Sequence, residues 1–187
     1  GMFNDNGDYN VFLGTGSGKY NVKGQQNVLI GYKAGFQNSN SDNNVFIGNL
    51  TGASNVSGFS NVYIGTSAGA ESHCGKNNVL MGYETGYKLS GDYSVMVGYN
   101  AGHNNLGDYN VCLGYQAGFC NNDPGGNTLK NVFVGGDAGY NNQGSSNTFV
   151  GYNTGYRNVD GSGNTAIGLN ADVSGNDNVI IGIDADI

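Results

Sequence analysis

Asn44-Val45-Phe46-Ile47-Gly48 is a stretch that the chain writes out eleven times with small changes, and that recurrence decides the fold. The closing glycines are Gly14, Gly31, Gly48, Gly65, Gly82, Gly98, Gly114, Gly135, Gly151, Gly168 and Gly182. The steps between them are 17, 17, 17, 17, 16, 16, 21, 16, 17 and 14 residues, a period of about 17. We number the coils 1 to 11 by these glycines. Within the unit the residues alternate as in a strand, with Val45 and Ile47 on one face and Phe46 on the other. The middle column reads Phe12, Leu29, Phe46, Tyr63, Leu80, Met96, Cys112, Phe133, Phe149, Ala166 and Ile180. Both faces are apolar, so such a strand has to be covered on both sides.

After each glycine a second half follows, as in Gly31-Tyr32-Lys33-Ala34-Gly35-Phe36. Its third position is always small: Ser17, Ala34, Thr51, Ala68, Thr85, Ala101, Ala117, Ala138, Thr154, Ala171 and Ala185. That size limit predicts a thin interior, with this half facing the Val/Ile side of the strand. Glycine comes next in the first nine coils, whereas the last two have Asp172 and Asp186. Each unit closes in turn residues such as Asn38-Ser39-Asn40-Ser41-Asp42. One coil is thus expected to be strand, tight turn, second short strand and looser turn. The next coil lays its strand beside the last in parallel, which makes a solenoid. Eleven coils spaced about 4.8 Å apart give a rod roughly 50 Å long.

The asparagine that opens the strand recurs at Asn10, Asn27, Asn44, Asn61, Asn78, Asn110, Asn131, Asn147, Asn164 and Asn178, with Ser94 as the exception. Stacked amides at one spacing predict a hydrogen-bonded ladder with a structural role. The long step between Gly114 and Gly135 places an insertion near residues 121–130, including Asn121-Asn122-Asp123-Pro124-Gly125-Gly126-Asn127. It holds the only proline and is expected to be a surface loop. Residues 164–187 form altered terminal coils, and the whole of 1–187 reads as a single repeat domain. The opening Gly1-Met2 and the stop within a repeat suggest a piece of a longer fibrous protein.

Composition narrows the function. Net charge is −7 with seven Lys and Arg in total, so no basic patch for nucleic acid can be assembled. No run of about 18 apolar residues and no charged-then-apolar leader occurs, so no membrane insertion is expected from this segment. Thirty-five glycines are periodic with the strand unit and not with every third residue, which excludes collagen. Cys74, Cys112 and Cys120 are odd in number and sit at different repeat positions, which argues against a disulfide framework. Cys112 shares the middle column, while Cys74 and Cys120 fall in turns.

The Asn-Val-x-Ile-Gly-x-x-Ala unit resembles the head repeats of YadA-type trimeric autotransporter adhesins and related repeats of phage and viral tail fibres. The resemblance covers Asn10 to Ile187 and implies an all-β, left-handed parallel β-roll of about 11 coils that assembles as a homotrimer. It implies an extracellular home, on a bacterial surface or on a phage or virus particle, and a structural or adhesive task with a host glycan or protein as receptor. This chain departs from the family in its longer coils and in large residues where the motif has Ala. Those large residues, Phe12, Leu29, Phe46, Tyr63, Leu80, Met96, Cys112, Phe133, Phe149 and Ile180, are therefore expected to form the trimer interface.

Chemistry-bearing residues are sparse. The alternative reading is a left-handed β-helix hexapeptide acyltransferase, suggested by Ile181-Gly182-Ile183-Asp184-Ala185-Asp186-Ile187. That fold needs three six-residue faces, whereas twelve residues after Ile30 stands Asp42. His73 and His103 are the only histidines, and His103 occupies the slot of Phe36, Phe119 and Tyr140. His73-Cys74 makes no four-ligand metal site. Asp8, Asp92 and Asp108 read as turn aspartates and not as a calcium repeat. An ice-binding solenoid would want a flat Thr array, which is absent. No enzyme, cofactor or metal is expected. The binding candidates are the aligned tyrosines Tyr32, Tyr83, Tyr99, Tyr115 and Tyr152, with Asn121, Asn122, Asp123 and Asn127 of the insertion. Aromatic columns beside amide-rich turns suit sugar rings and their hydroxyls.

Overall fold

The computed structural model describes residues 1–121 and 130–186. Its strands are β1 (Val11–Leu13), β2 (Val28–Ile30), β3 (Val45–Ile47), β4 (Val62–Ile64), β5 (Val79–Met81), β6 (Val95–Val97), β7 (Val111–Leu113), β8 (Val132–Val134), β9 (Thr148–Val150), β10 (Thr165–Ile167) and β11 (Val179–Ile181). They form one parallel sheet in the order β1 to β11, wound as a β-solenoid of about ten turns. Register is kept throughout, as Val45↔Val62, Phe46↔Tyr63 and Ile47↔Ile64 show. Like residues therefore stack on like. No described residue is helical, and none belongs to a helix able to cross a membrane.

The middle column faces inward. Leu29, Phe46, Tyr63, Leu80, Met96, Cys112, Phe133, Phe149 and Ala166 are all fully buried within the single chain, and Ile180 nearly so. Phe12, in the first coil, is half-buried against the same core. This corrects the expected subunit interface, because a side chain enclosed by its own coil cannot touch another copy. The physical reason lies across the coil. The buried small column, Ala34 to Ala171, leaves the interior space that a ring or long aliphatic fills. At Gly52, where φ is +55°, an added Cβ would sit 2.5 Å from the Phe46 ring. The small half thus faces the middle residue of the strand and not its Val/Ile side.

Internal compensation supports this packing. Coil 10 has Ala166 in the middle, and there Val173 turns inward to 2% exposure. In coil 4 the Tyr63 hydroxyl lies 3.3 Å from Ser72 Oγ, where most other coils carry Asn at the same place. Burial pushes the Tyr63 phenol up to about 12 and the Cys112 thiol likewise to about 12.

The expected second strand is also corrected. The second half of each coil is a run of turns, because left-handed residues interrupt any extended path. Leu50 has φ +56° and Gly52 φ +55°, and the pattern repeats two and four residues past each strand glycine in the first nine coils. Its backbone groups nevertheless pair with both neighbours: Leu50 N donates to Tyr32 O and Gly52 N to Ala68 O, each at 2.9 Å. Gly48 itself has φ +141°, and a Cβ there would meet Gly65 O at 2.4 Å. Only glycine permits that approach.

Two amide ladders close the corners. In the expected one, Asn44 N donates to Asn27 Oδ1 at 2.9 Å and Asn61 N to Asn44 Oδ1 at 3.0 Å. Each Nδ2 reaches a turn carbonyl, as from Asn61 to Gly75 O at 2.7 Å. Ser94 keeps the chain going through Oγ, which accepts from Asn110 N at 3.1 Å. The second ladder stands seven residues past the glycine. Asn38 Nδ2 donates to Asn21 Oδ1 at 2.9 Å and Asn55 Nδ2 to Asn38 Oδ1 at 3.0 Å.

Candidate binding surface

With the middle column inside, the outward face of the sheet carries the flanking columns, from Val11 to Val179 and from Leu13 to Ile181. All are aliphatic or Met except Thr148 and Thr165. Val11, Leu13, Ile47, Met81, Val95, Val97, Ile167, Val179 and Ile181 are exposed, and the others are half-buried. This apolar strip has no partner among the described residues. The expectation that the small column faces the Val/Ile side is thereby corrected, since that side is the outer one.

The tyrosine column lies where the repeat puts it, one residue past the strand glycine. Tyr32, Tyr83, Tyr99, Tyr115 and Tyr152 are all exposed, at 47, 44, 46, 54 and 59%. Tyr83, Tyr99 and Tyr115 stack on one another, with centroids 5.2 and 5.3 Å apart and planes within 9°. The faces of the middle ring are covered by its neighbours, so Tyr99 offers solvent its edge and hydroxyl. Tyr32 and Tyr152 stand apart, because coil 3 has Asn49, coil 4 Thr66 and coil 8 Gly136 at that position. The Tyr83 hydroxyl titrates above its ordinary range, held by a hydrogen bond to Glu84.

Of the insertion residues, Asn122, Asp123 and Asn127 lie outside the described residues. Asn121 is fully buried. Its Oδ1 accepts from Asn131 Nδ2 at 3.1 Å and Asn142 Nδ2 at 3.2 Å, making it a rung of the second ladder. It is not a surface binding residue. The signal was available, since Asn121 stands seven past Gly114 as Asn38 stands seven past Gly31.

The slot that His103 shares with Phe119 and Tyr140 forms a second aromatic column. Tyr87, His103, Phe119, Tyr140 and Tyr156 stand five past their glycines and stack continuously at 5.1, 5.0, 5.0 and 5.2 Å. A shorter stack joins Tyr93 and Tyr109 at 5.0 Å. His103 is thus an aromatic rung, and its Nε2 lies 3.6 Å from Glu84 Oε2. His73 is an exposed turn residue whose Nδ1 lies 2.8 Å from Glu71 O. No group of three or more His, Cys, Asp or Glu placed to hold a metal occurs among the described residues. The turn aspartates brace adjacent coils: Asp92 Oδ1 accepts from Lys76 N, and Asp108 Oδ1 from Asp92 N, each at 2.8 Å.

Comparison with known families, curated proteins and solved structures found no match to this chain. The class of the molecule rests on its own geometry: an all-β parallel solenoid with an apolar strip on the outer face of its sheet and separate aromatic columns.

Proposed function

We propose that this chain is a structural and adhesive segment of a homotrimeric surface fibre, extracellular on a bacterium, phage or virus. The carrying observation is the apolar strip on the outside of the sheet. Eleven strands of three residues make a strip roughly 50 Å by 10 Å, about 500 Å². A contiguous apolar patch of that size stands toward the upper end of what a soluble monomer exposes, and patches of that size are often interaction surfaces. Its occupant must be as apolar, as long and as regular as the strip itself, and a second and third copy of this chain supply such faces. The number three and a left-handed roll come from the likeness of the Asn-Val-x-Ile-Gly repeat to adhesin heads and tail fibres. The tyrosine column then projects outward, and a trimer multiplies its shallow contacts so that modest single-site affinities hold a particle to a host surface.

The test is sedimentation equilibrium together with attachment to host cells. The assembly is expected to be a trimer. Replacing Ile47, Ile64 and Val97 by Lys should give folded monomers, since these side chains leave the core untouched. Replacing Tyr83, Tyr99 and Tyr115 by Ser should weaken attachment without dissociating the trimer. A monomer in the unmutated chain would refute the assembly.

A further inference from the structure

The long aromatic stack ends for a reason that creates a groove. Tyr156 packs one face on Tyr140 at 5.2 Å, but coil 10 supplies no ring beyond it. The next residue of that column is Val173, which has turned inward to fill the space above Ala166. The glycine of the turn is replaced by Asp172, and coil 11 repeats the change with Asp186, the two joined by a parallel bridge. Beside Tyr156 this leaves a groove of about 330 Å³ on the side of the rod.

Its lining is polar and ordered. Asn153 Nδ2 donates to Asn170 Oδ1 at 3.1 Å, and Asn170 Nδ2 donates to Asp184 Oδ1 at 2.8 Å, so three coils present a relay of fixed amides ending in a carboxylate. Asp172 Oδ1 is fixed by the backbone N–H groups of Arg157 and Val173, at 3.2 and 3.1 Å. Arg157 Nε lies 4.0 Å from Asp172 Oδ2. An aromatic ring beside fixed hydroxyl-binding amides and carboxylates meets both needs of a pyranose, whose C–H face stacks and whose rim donates and accepts. Asp172, Asp184 and Asp186 outnumber the single Arg157 around the groove, so an acidic sugar is repelled.

We infer that the groove bounded by Tyr156, Arg157, Asn170, Asp172 and Asp184 binds a pyranose without acidic substituents, neutral or amino-bearing. The inference deepens the adhesive reading and rests on it only for its biological sense. The site is complete within one chain.

The experiment is saturation-transfer NMR and titration of the chain with methyl glucoside, methyl glucosaminide and methyl glucuronide. The first two are expected to bind and the glucuronide to bind at least tenfold more weakly. Tyr156→Ala should cost at least tenfold, and Tyr93→Ala, an exposed stacked tyrosine outside the groove and outside the Tyr32 to Tyr152 column, nothing. Asp184→Ala alters an exposed side chain, keeps the test decisive if the tyrosine variant folds poorly, and should also cost at least tenfold. Binding of none of the probes, equal binding of the glucuronide, or binding unchanged by both groove variants would overturn the site. Sugar binding by a chain that sediments as a monomer would leave this site standing and remove the fibre.

Discussion

At the scale of single residues, this molecule spends its glycines and asparagines on backbone problems. Gly52→Ala places a methyl group against the Phe46 ring in a left-handed conformation. We expect a loss of about 2–4 kcal/mol in urea unfolding, from overpacking and backbone strain together. Asn61→Ala removes the acceptor of Asn78 N and the donor to Gly75 O, both buried. Two unsatisfied backbone groups should cost about 2–4 kcal/mol by the same measurement. Tyr63 gives a pH dependence of known sign. Its phenol ionises near 10.0 when unfolded and near about 12 in the buried site. The folded state holds the proton more tightly, so the associated stability is complete below the unfolded value and disappears as pH rises through the folded one. Tyr63→Phe should flatten the alkaline limb of a melting-temperature profile between pH 10 and 12, by up to about 3 kcal/mol. An unchanged limb would mean that the ring is not enclosed.

At the scale of the coil, the orientation of the strand separates two kinds of substitution. Phe46→Asp and Phe133→Asp would bury a carboxylate inside a coil, and circular dichroism should report an unfolded chain instead of a dissociated one. The period, the parallel stacking, the small column and the opening-asparagine ladder could all be read from the sequence, because each repeats at a fixed offset from a glycine. Strand orientation could not, because Val45-Phe46-Ile47 is apolar on both faces and alternation alone carries no sign. The clue lay in pairs within coils: Ala166 with Val173, and Tyr63 with Ser72, trade bulk across one interior. The second ladder and the Tyr87 to Tyr156 stack also stand at fixed offsets. The ladder was hidden by substitutions such as Leu89, which packs into the core instead. The shared slot of His103, Phe119 and Tyr140 was legible, but an offset alone does not say that side chains in register lie ring on ring.

At the scale of the whole molecule, nearly every pairing runs from one coil to the next, so the hydrogen bonds lie along the rod and the covalent chain lies across it. A pull on the two ends therefore loads the rungs in tension and not in shear, and they open one coil at a time. Each opening frees about 17 residues, which lengthen by roughly 50 Å once extended. Force spectroscopy on the chain should give a regular sawtooth with that spacing, interrupted by one longer step at the 21-residue coil between Gly114 and Gly135. Such a rod yields by paying out line under load, a brake built from repetition.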